Sequence, residues 1–351
     1  MAFGGEHIPG RFSCEFYQPR HTASMKYSII IPSYNSETYL DSTIRSAICA
    51  LPENDGEIIF IDDCSVDKSL DIARRFKDKI KIYENDQNMG QEFSTNKGLE
   101  IANGEYAVIL HSDDLLHKKF FKTLSRLLDC YPTTVMAVGE RNEINSENKT
   151  IHELAPFYDG DYLIPGKEQA KVFLKTGFLP CQVLFRRKVI MSFGGVQNSC
   201  VVNLDGLLWF KASLNGDVIY TQALVCSYRK HNQSMTASLN RDIHHMFEYY
   251  RTLKEMFNYA KNIGYNLSSE FDAAFRRMSE LSIRFSKEIY ASGNLDLAKR
   301  YLLLAESIDP ESVKTKSFID TEEMMSNQLS IENGFSSRDH SYAPPKGSLQ
   351  I

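Results

Sequence analysis

From Tyr27 to Cys130 the chain alternates short β-branched runs with segments of helical spacing, and this alternation restricts the fold more than any other feature. Tyr27 to Ile31, Glu57 to Ile61, Ile80 to Tyr83 and Tyr106 to Leu110 are brief apolar runs suited to strands buried on both faces. Between them Leu40, Ile44, Ala47, Ile48 and Leu51 recur at helical spacing. Val66, Leu70, Ala73 and Phe76 do the same behind Ser65, a residue type that caps helices. Phe93 to Ala102 forms a third helical segment with Gly104 placed to end it, and His117 to Cys130 a fourth. Short connections between alternating strands and helices predict a parallel α/β sheet covered on both faces.

In such sheets, ligands sit outside the carboxyl ends of the strands. Three polar clusters directly follow a strand: Ser33-Tyr34-Asn35, Asp62-Asp63 and Ser112-Asp113-Asp114. Parallel strands end on one edge, so these distant segments should meet in one cleft. Adjacent carboxylates repel unless a positive group lies beside them. A hard divalent cation with positions open to phosphate oxygens is the usual solution. The structural alternative for either pair is a cap on the helix that follows it.

Beyond Tyr131 the pattern is less regular. Val135 to Val138, Gly177 to Phe185 and Val218 to Tyr228 read as strands of a mixed extension, and residues 140 to 165 as loop-rich. The first 25 residues read as an irregular polar extension, residues 26–235 as the catalytic-type domain, and 236–325 as a helical region. In that region Met246, Phe247, Tyr250, Leu253 and Phe257 form one apolar stripe, and Phe275, Met278, Leu281, Phe285 and Ile289 another. Ser292 to Pro310 is similar to the second half of a tetratricopeptide hairpin, but a single copy is a helical pair and not an array. Residues 326–351 are rich in Ser, Asn, Gly and Pro and read as a disordered tail.

A net charge of -5 speaks against a nucleic-acid partner. Seven dispersed cysteines without metal-ligand spacing read as reduced thiols. No apolar run reaches the roughly 18 to 20 residues that span a bilayer, and the N-terminus lacks the apolar core of a signal peptide. A cytoplasmic protein is therefore expected, with peripheral contact at the inner face of a membrane left open.

The segments SIIIPSYNSETYLDSTIRSAI, EIIFIDDCSVDKSLDIARRF and NMGQEFSTNKGLEIANGEYAVILHSDD, in this order, resemble the family 2 glycosyltransferases of GT-A fold. Weaker similarity continues through FLPCQVLFRRKVIMSFGGV, NLDGLLWFKASLNGDVIY and YRKHNQS. The resemblance implies a three-layer α/β/α sandwich with a C-terminal helical extension. It implies that Pro32, Tyr34, Asn35, Asp63, Asn96 and Asp113 bind a nucleotide sugar, and that Asp114, with His231, ligates Mn2+ or Mg2+. Asp205 matches the carboxylate that acts as catalytic base in an inverting transfer to a hydroxyl of a glycan, lipid-linked or protein acceptor. Read without the resemblance, Asp205 is a helix cap and His231 with Arg229 a surface pair.

Four positions depart from the family pattern: His111 stands in place of an acidic residue, Leu204 of another, Lys211 of an arginine, and Thr95 of an arginine. The losses at Leu204, Lys211 and Thr95 motivate the competing expectation, a catalytically weak protein that binds a nucleotide or glycan or scaffolds partners. A nucleotidyltransferase or a dehydrogenase needs a glycine-rich turn after the first strand, and SYNSETYL offers none.

Overall fold

The first strand, β1 (Tyr27–Ser33), shows why the sheet needs cover on both faces. Side chains alternate along a strand. Ile29 and Ile31 enter one core with Leu40, Ile44 and Phe120, while Ile30 enters the other with Leu99 and Phe185. All seven residues of β1 are buried, and each fully buried isoleucine contributes about 2 kcal/mol by leaving water. The computed structural model describes residues 25–152, 154–197, 204–231, 243–327 and 341–351.

The first half follows the expected order: β1, α1 (Leu40–Ala50), β2 (Gly56–Asp62), α2 (Ser69–Arg74), β3 (Lys81–Glu84), α3 (Gln91–Ile101) and β4 (Tyr106–Ile109). Strands β3, β2, β1 and β4 lie side by side and parallel. Helix α3 presses against β1, where a side chain at Gly98 would overlap Ile30. Helix α2 departs from expectation. Ser65 does not cap it but accepts the Asn35 N–H at 3.0 Å, and Val66 is solvent-exposed. The helix starts only at Ser69 because the preceding residues form a turn bonded to the loop after β1.

Next come the short β5 (Leu115–Leu116), α4 (Phe120–Cys130), β6 (Thr134–Ile144), β7 (Thr150–His152), β8 (Tyr162–Ile164), α5 (Gly166–Phe173), β9 (Val183–Arg186), α6 (Arg187–Ser192), α7 (Leu204–Ser213) and β10 (Asp217–Arg229). Residues 140 to 165 thus hold more strand than their composition suggests. β9 runs antiparallel between β4 and β6, and β10 pairs parallel with β6, so the sheet is mixed on this side.

Helices α8 (His244–Asn262), α9 (Phe271–Ala291), α10 (Leu295–Ile308) and α11 (Lys316–Ser326) form the helical region. Helices α9 and α10 make a hairpin turned at Gly293, with Ser279 and Ser286 hydroxyls donating to Ala305 and Ala298 carbonyls of the partner helix. Met246, Leu253, Met278, Ile289 and Tyr301 join the same core as Ile30, so the two stripes pack largely inward, although Phe247 and Tyr250 remain exposed.

Three expectations need correction or fall outside the described residues. Of the expected disordered tail, residues 328–340 lie outside the described residues, while residues 341–351 pack on the sheet: Tyr342 donates its N–H to the Phe157 carbonyl at 2.7 Å, and β11 (Leu349–Gln350) pairs with β8 as an edge strand. Polar composition misleads there because an edge strand needs backbone partners more than apolar side chains. Cys49, Cys64, Cys181 and Cys226 are free thiols, whereas Cys130 is disulfide-bonded. The N-terminal extension through residue 24 lies outside the described residues.

Candidate functional site

The carboxyl ends of β1, β2 and β4 open into a cleft of about 440 Å3. Pro32, Tyr34, Asn35, Asp63, Asp113 and His231 all line it. Parallel pairing accounts for the convergence, since Ser33 stands opposite Asp62 in register and the Asp63 N–H donates to the Ser33 carbonyl at 2.8 Å.

Asn35 has a φ of 48°, a left-handed conformation that asparagine tolerates better than most residues. Its side-chain oxygen accepts the Val66 N–H at 2.9 Å, which ties together the loops after β1 and β2. Tyr34, beside it, lines the cleft and remains 48% exposed. Asp63 is buried at the floor. Its carboxylate accepts from Asn85 Nδ2 at 2.7 Å and from the backbone N–H groups of Met89 and Gly90 at 2.9 and 2.8 Å. A carboxylate has about four acceptor positions, so roughly one is left for a ligand.

The neighbouring aspartates diverge. Asp113 faces the cleft, with Oδ2 3.1 Å from His231 Nε2. Burial works against its ionisation, but the hydrogen bond from His231 and the nearby His111 hold its pKa below the usual carboxylate value. Asp114 turns inward and accepts the Arg229 N–H at 3.0 Å. Burial, and then the charge of Asp113, push the Asp114 pKa up to about 7. The resemblance implies the metal at Asp114 and the sugar nucleotide at Asp113; of the two, Asp113 lines the cleft, while Asp114 is buried behind it. The turn is fixed from outside. Thr43 Oγ1 donates to the carbonyls of Ser112 and Asp114 at 3.0 and 2.9 Å. Arg229 donates to the Asp113 carbonyl at 2.7 Å and to Asn145 O and Asn148 Oδ1, with its guanidinium over the Tyr39 ring. Arg229 is fully buried, so neither the surface pair nor a free diphosphate ligand describes it.

Asn96 also differs from expectation. It does not line the cleft; its Nδ2 donates to the Val196 carbonyl at 2.6 Å, and its Oδ1 accepts the Val196 N–H at 2.8 Å. Gly195 beside it has a φ of +72°, and a Cβ there would overlap Asn96 Oδ1. Asn96 is thus a clamp between α3 and the turn after α6. Lys211, in the last turn of α7, is buried, hydrogen-bonded to Gln197 and near Glu255 of α8.

Asp205 lies in the first turn of α7, which is anchored by the buried Trp209, whose Nε1 donates to the Phe178 carbonyl at 3.0 Å. Burial raises the Asp205 pKa, with His111 opposing. Asp205 opens on a second cavity of about 10 Å3, which it shares with Thr95, Val196, Gln91 and His111. Gln91 and His111 line both cavities and are 2.7 Å apart. No spacing rule signals Gln91 or Tyr39 as site residues. His111 carries a signal only as a departure from the family pattern.

A donor set of one carboxylate and one imidazole, with no cluster of three ionisable ligands among the described residues, suits a cation that draws its remaining ligands from phosphate oxygens and water. His231 Nδ1 is buried with no hydrogen-bond partner among the described residues.

The strand-edge cleft thus carries Tyr34, Asp63 and Asp113, and shares Gln91 and His111 with the cavity of Asp205. Residues 28–194 match the glycosyl transferase family 2 profile. An uncharacterized glycosyltransferase of Nostoc sp. is 30% identical over 231 residues, covering 61% of this chain and 68% of that protein. This chain belongs to glycosyltransferase family 2. The poly(ribitol-phosphate) β-N-acetylglucosaminyltransferase TarS of Staphylococcus aureus is 31% identical over 118 residues, which covers 32% of this chain and only 21% of TarS. The structure of TarS 1–349 with UDP-GlcNAc aligns with a TM-score of 0.54 and 17% identity, over 88% of this chain and 93% of that one. The mannosyltransferase PcManGT of Pyrobaculum calidifontis, with GDP-Man and Mn2+, aligns at 0.53 and 15%, over 88% of each chain. At such identities the two structures establish the GT-A fold alone. No helix among the described residues is long and apolar enough to cross a membrane.

Proposed function

We propose that this protein transfers a sugar, with inversion, from a nucleoside-diphosphate donor to a hydroxyl of a surface glycan or polysaccharide acceptor. One observation carries the proposal: Asp113 and Asp205 face two cavities that touch at the same pair of side chains. Tyr34 stacks on the base, and the loop bonds of Asn35 and Asp63 hold the nucleotide end of the cleft rigid. Asp113 and His231 are the residues that would hold Mn2+ or Mg2+, which when bound neutralises charge on the leaving diphosphate. Asp114 supports this site from behind through the Arg229 backbone.

Asp205 accepts the proton of the acceptor hydroxyl as that oxygen attacks the anomeric carbon and the bond to the diphosphate breaks. A buried carboxylate with a raised pKa is a stronger base than one in water. Attack from the side opposite the leaving group inverts the anomeric centre. The names of TarS and of a Bacillus poly(ribitol-phosphate) β-glucosyltransferase, 39% identical over 97 residues, support a polymer acceptor.

The test is incubation of the purified protein with UDP-, GDP- and dTDP-sugars and Mn2+. Asp205→Asn should lose about a hundredfold or more in transfer while binding the donor nucleotide as before. Equal transfer by the variant, or no binding of any nucleotide sugar, refutes the proposal.

A further inference from the structure

Gln91 and His111 stand where the diphosphate cleft meets the cavity of Asp205, and their side chains are hydrogen-bonded to each other at 2.7 Å. Gln91 opens α3, and its carbonyl accepts the Thr95 hydroxyl at 2.7 Å, which fixes the helix start. His111 follows β4 directly. The cavity beyond them, at about 10 Å3, holds one water at most. A hexose cannot enter it while the pair is closed.

We infer that Gln91 and His111 are the specificity-determining residues for the transferred sugar. The inference rests on the donor-cleft proposal above. If the diphosphate lies at Asp113 and the attacking hydroxyl at Asp205, the sugar ring must lie between them, at the Gln91–His111 junction. Carboxamide and imidazole each both donate and accept hydrogen bonds, as sugar hydroxyls do. A carboxylate at 111 could only accept. The pair therefore exchanges its mutual bond for bonds to the sugar, and the same movement opens the way to Asp205. A site built on hydrogen bonds to hydroxyls rejects sugars that place them differently.

The experiment measures calorimetric affinities, with Mn2+, for UDP, GDP and dTDP and for a panel of the corresponding nucleotide sugars. It compares the full-length protein with Gln91→Ala, His111→Ala, the double variant and His111→Gln. Wild type is expected to bind its nucleotide sugar more tightly than the bare nucleotide. The alanine variants should bind the nucleotide within about twofold of wild type and lose about tenfold for the nucleotide sugar, the size of one or two hydrogen bonds. His111→Gln, which still donates and accepts, should retain nucleotide affinity and change the order of preference among sugars. Equal weakening for both ligands, or no change for either, overturns the inference. Wild type that gains nothing from the sugar also overturns it, leaving the donor cleft intact. Wild type that binds no nucleotide at all removes the donor cleft itself and the inference with it.

Discussion

Asn96→Ala separates a nucleotide ligand from a structural clamp. Sequence resemblance places Asn96 at the nucleotide, whereas the structure spends both ends of its amide on Val196, at 2.6 and 2.8 Å. Each such hydrogen bond is worth about 1 kcal/mol net, and the penalty grows when the partner is left buried and unsatisfied. Val196 is 6% exposed, so water cannot fully replace the lost groups. The expected destabilisation is about 2 kcal/mol. For a chain of 351 residues, this corresponds to a fall in melting temperature of roughly 3 °C. Scanning fluorimetry reads that fall, and calorimetry with UDP and GDP should show nucleotide affinity within about twofold of wild type. An unchanged melting temperature with tenfold weaker nucleotide binding refutes the clamp and restores the ligand role.

Tyr34→Ala should show the opposite pattern. The ring is 48% exposed, so stability should change by less than about 0.5 kcal/mol. Losing a base-stacking platform worth about 1–3 kcal/mol should weaken calorimetric nucleotide affinity roughly tenfold. Asp113→Asn and His231→Ala should each abolish the gain in nucleotide-sugar affinity on adding Mn2+, and Asp114→Asn should preserve it; the reverse result returns the metal to Asp114. Glu57 tests linkage away from the site. Burial opposes its ionisation, but Lys81 at 2.6 Å, the Asn103 N–H at 2.6 Å and the Ser28 hydroxyl at 2.9 Å outweigh it and lower its pKa. Its contribution is therefore present above the unfolded value of about 4.5 and is lost as pH falls through the lower folded one. Glu57→Gln should cost roughly 2 kcal/mol in urea unfolding at pH 7, and the gap should narrow towards pH 3. A gap independent of pH contradicts the assignment.

The alternation from Tyr27 to Leu110 was enough to indicate a parallel sheet covered on both faces, because short connections between strands and helices favour that arrangement, whereas the order β3-β2-β1-β4 came from the structure. The alternation also set which clusters meet, since every parallel strand of the sheet ends on the same edge. Composition was a poorer guide where structure depends on backbone pairing, as in β7 and β8 within 140–165 and β11 at the C-terminus. Local sequence was poorest at deciding direction. Asp113 and Asp114 are adjacent and identical in type, and nothing nearby says which faces the cleft. That was settled by Thr43 and Arg229, 71 and 115 positions from Asp114, which lock the turn from opposite sides. The same holds for Asn96, diverted to Val196 by a contact 100 residues away, and for Gln91 and His111, which acquire a shared place only when α3 and β4 pack together. The sequence by itself determined the sheet, its functional edge and the residue types gathered there. Only the tertiary structure decided which side chains line the cleft and which hold the others in place, because each orientation is fixed by hydrogen bonds between segments distant in the chain.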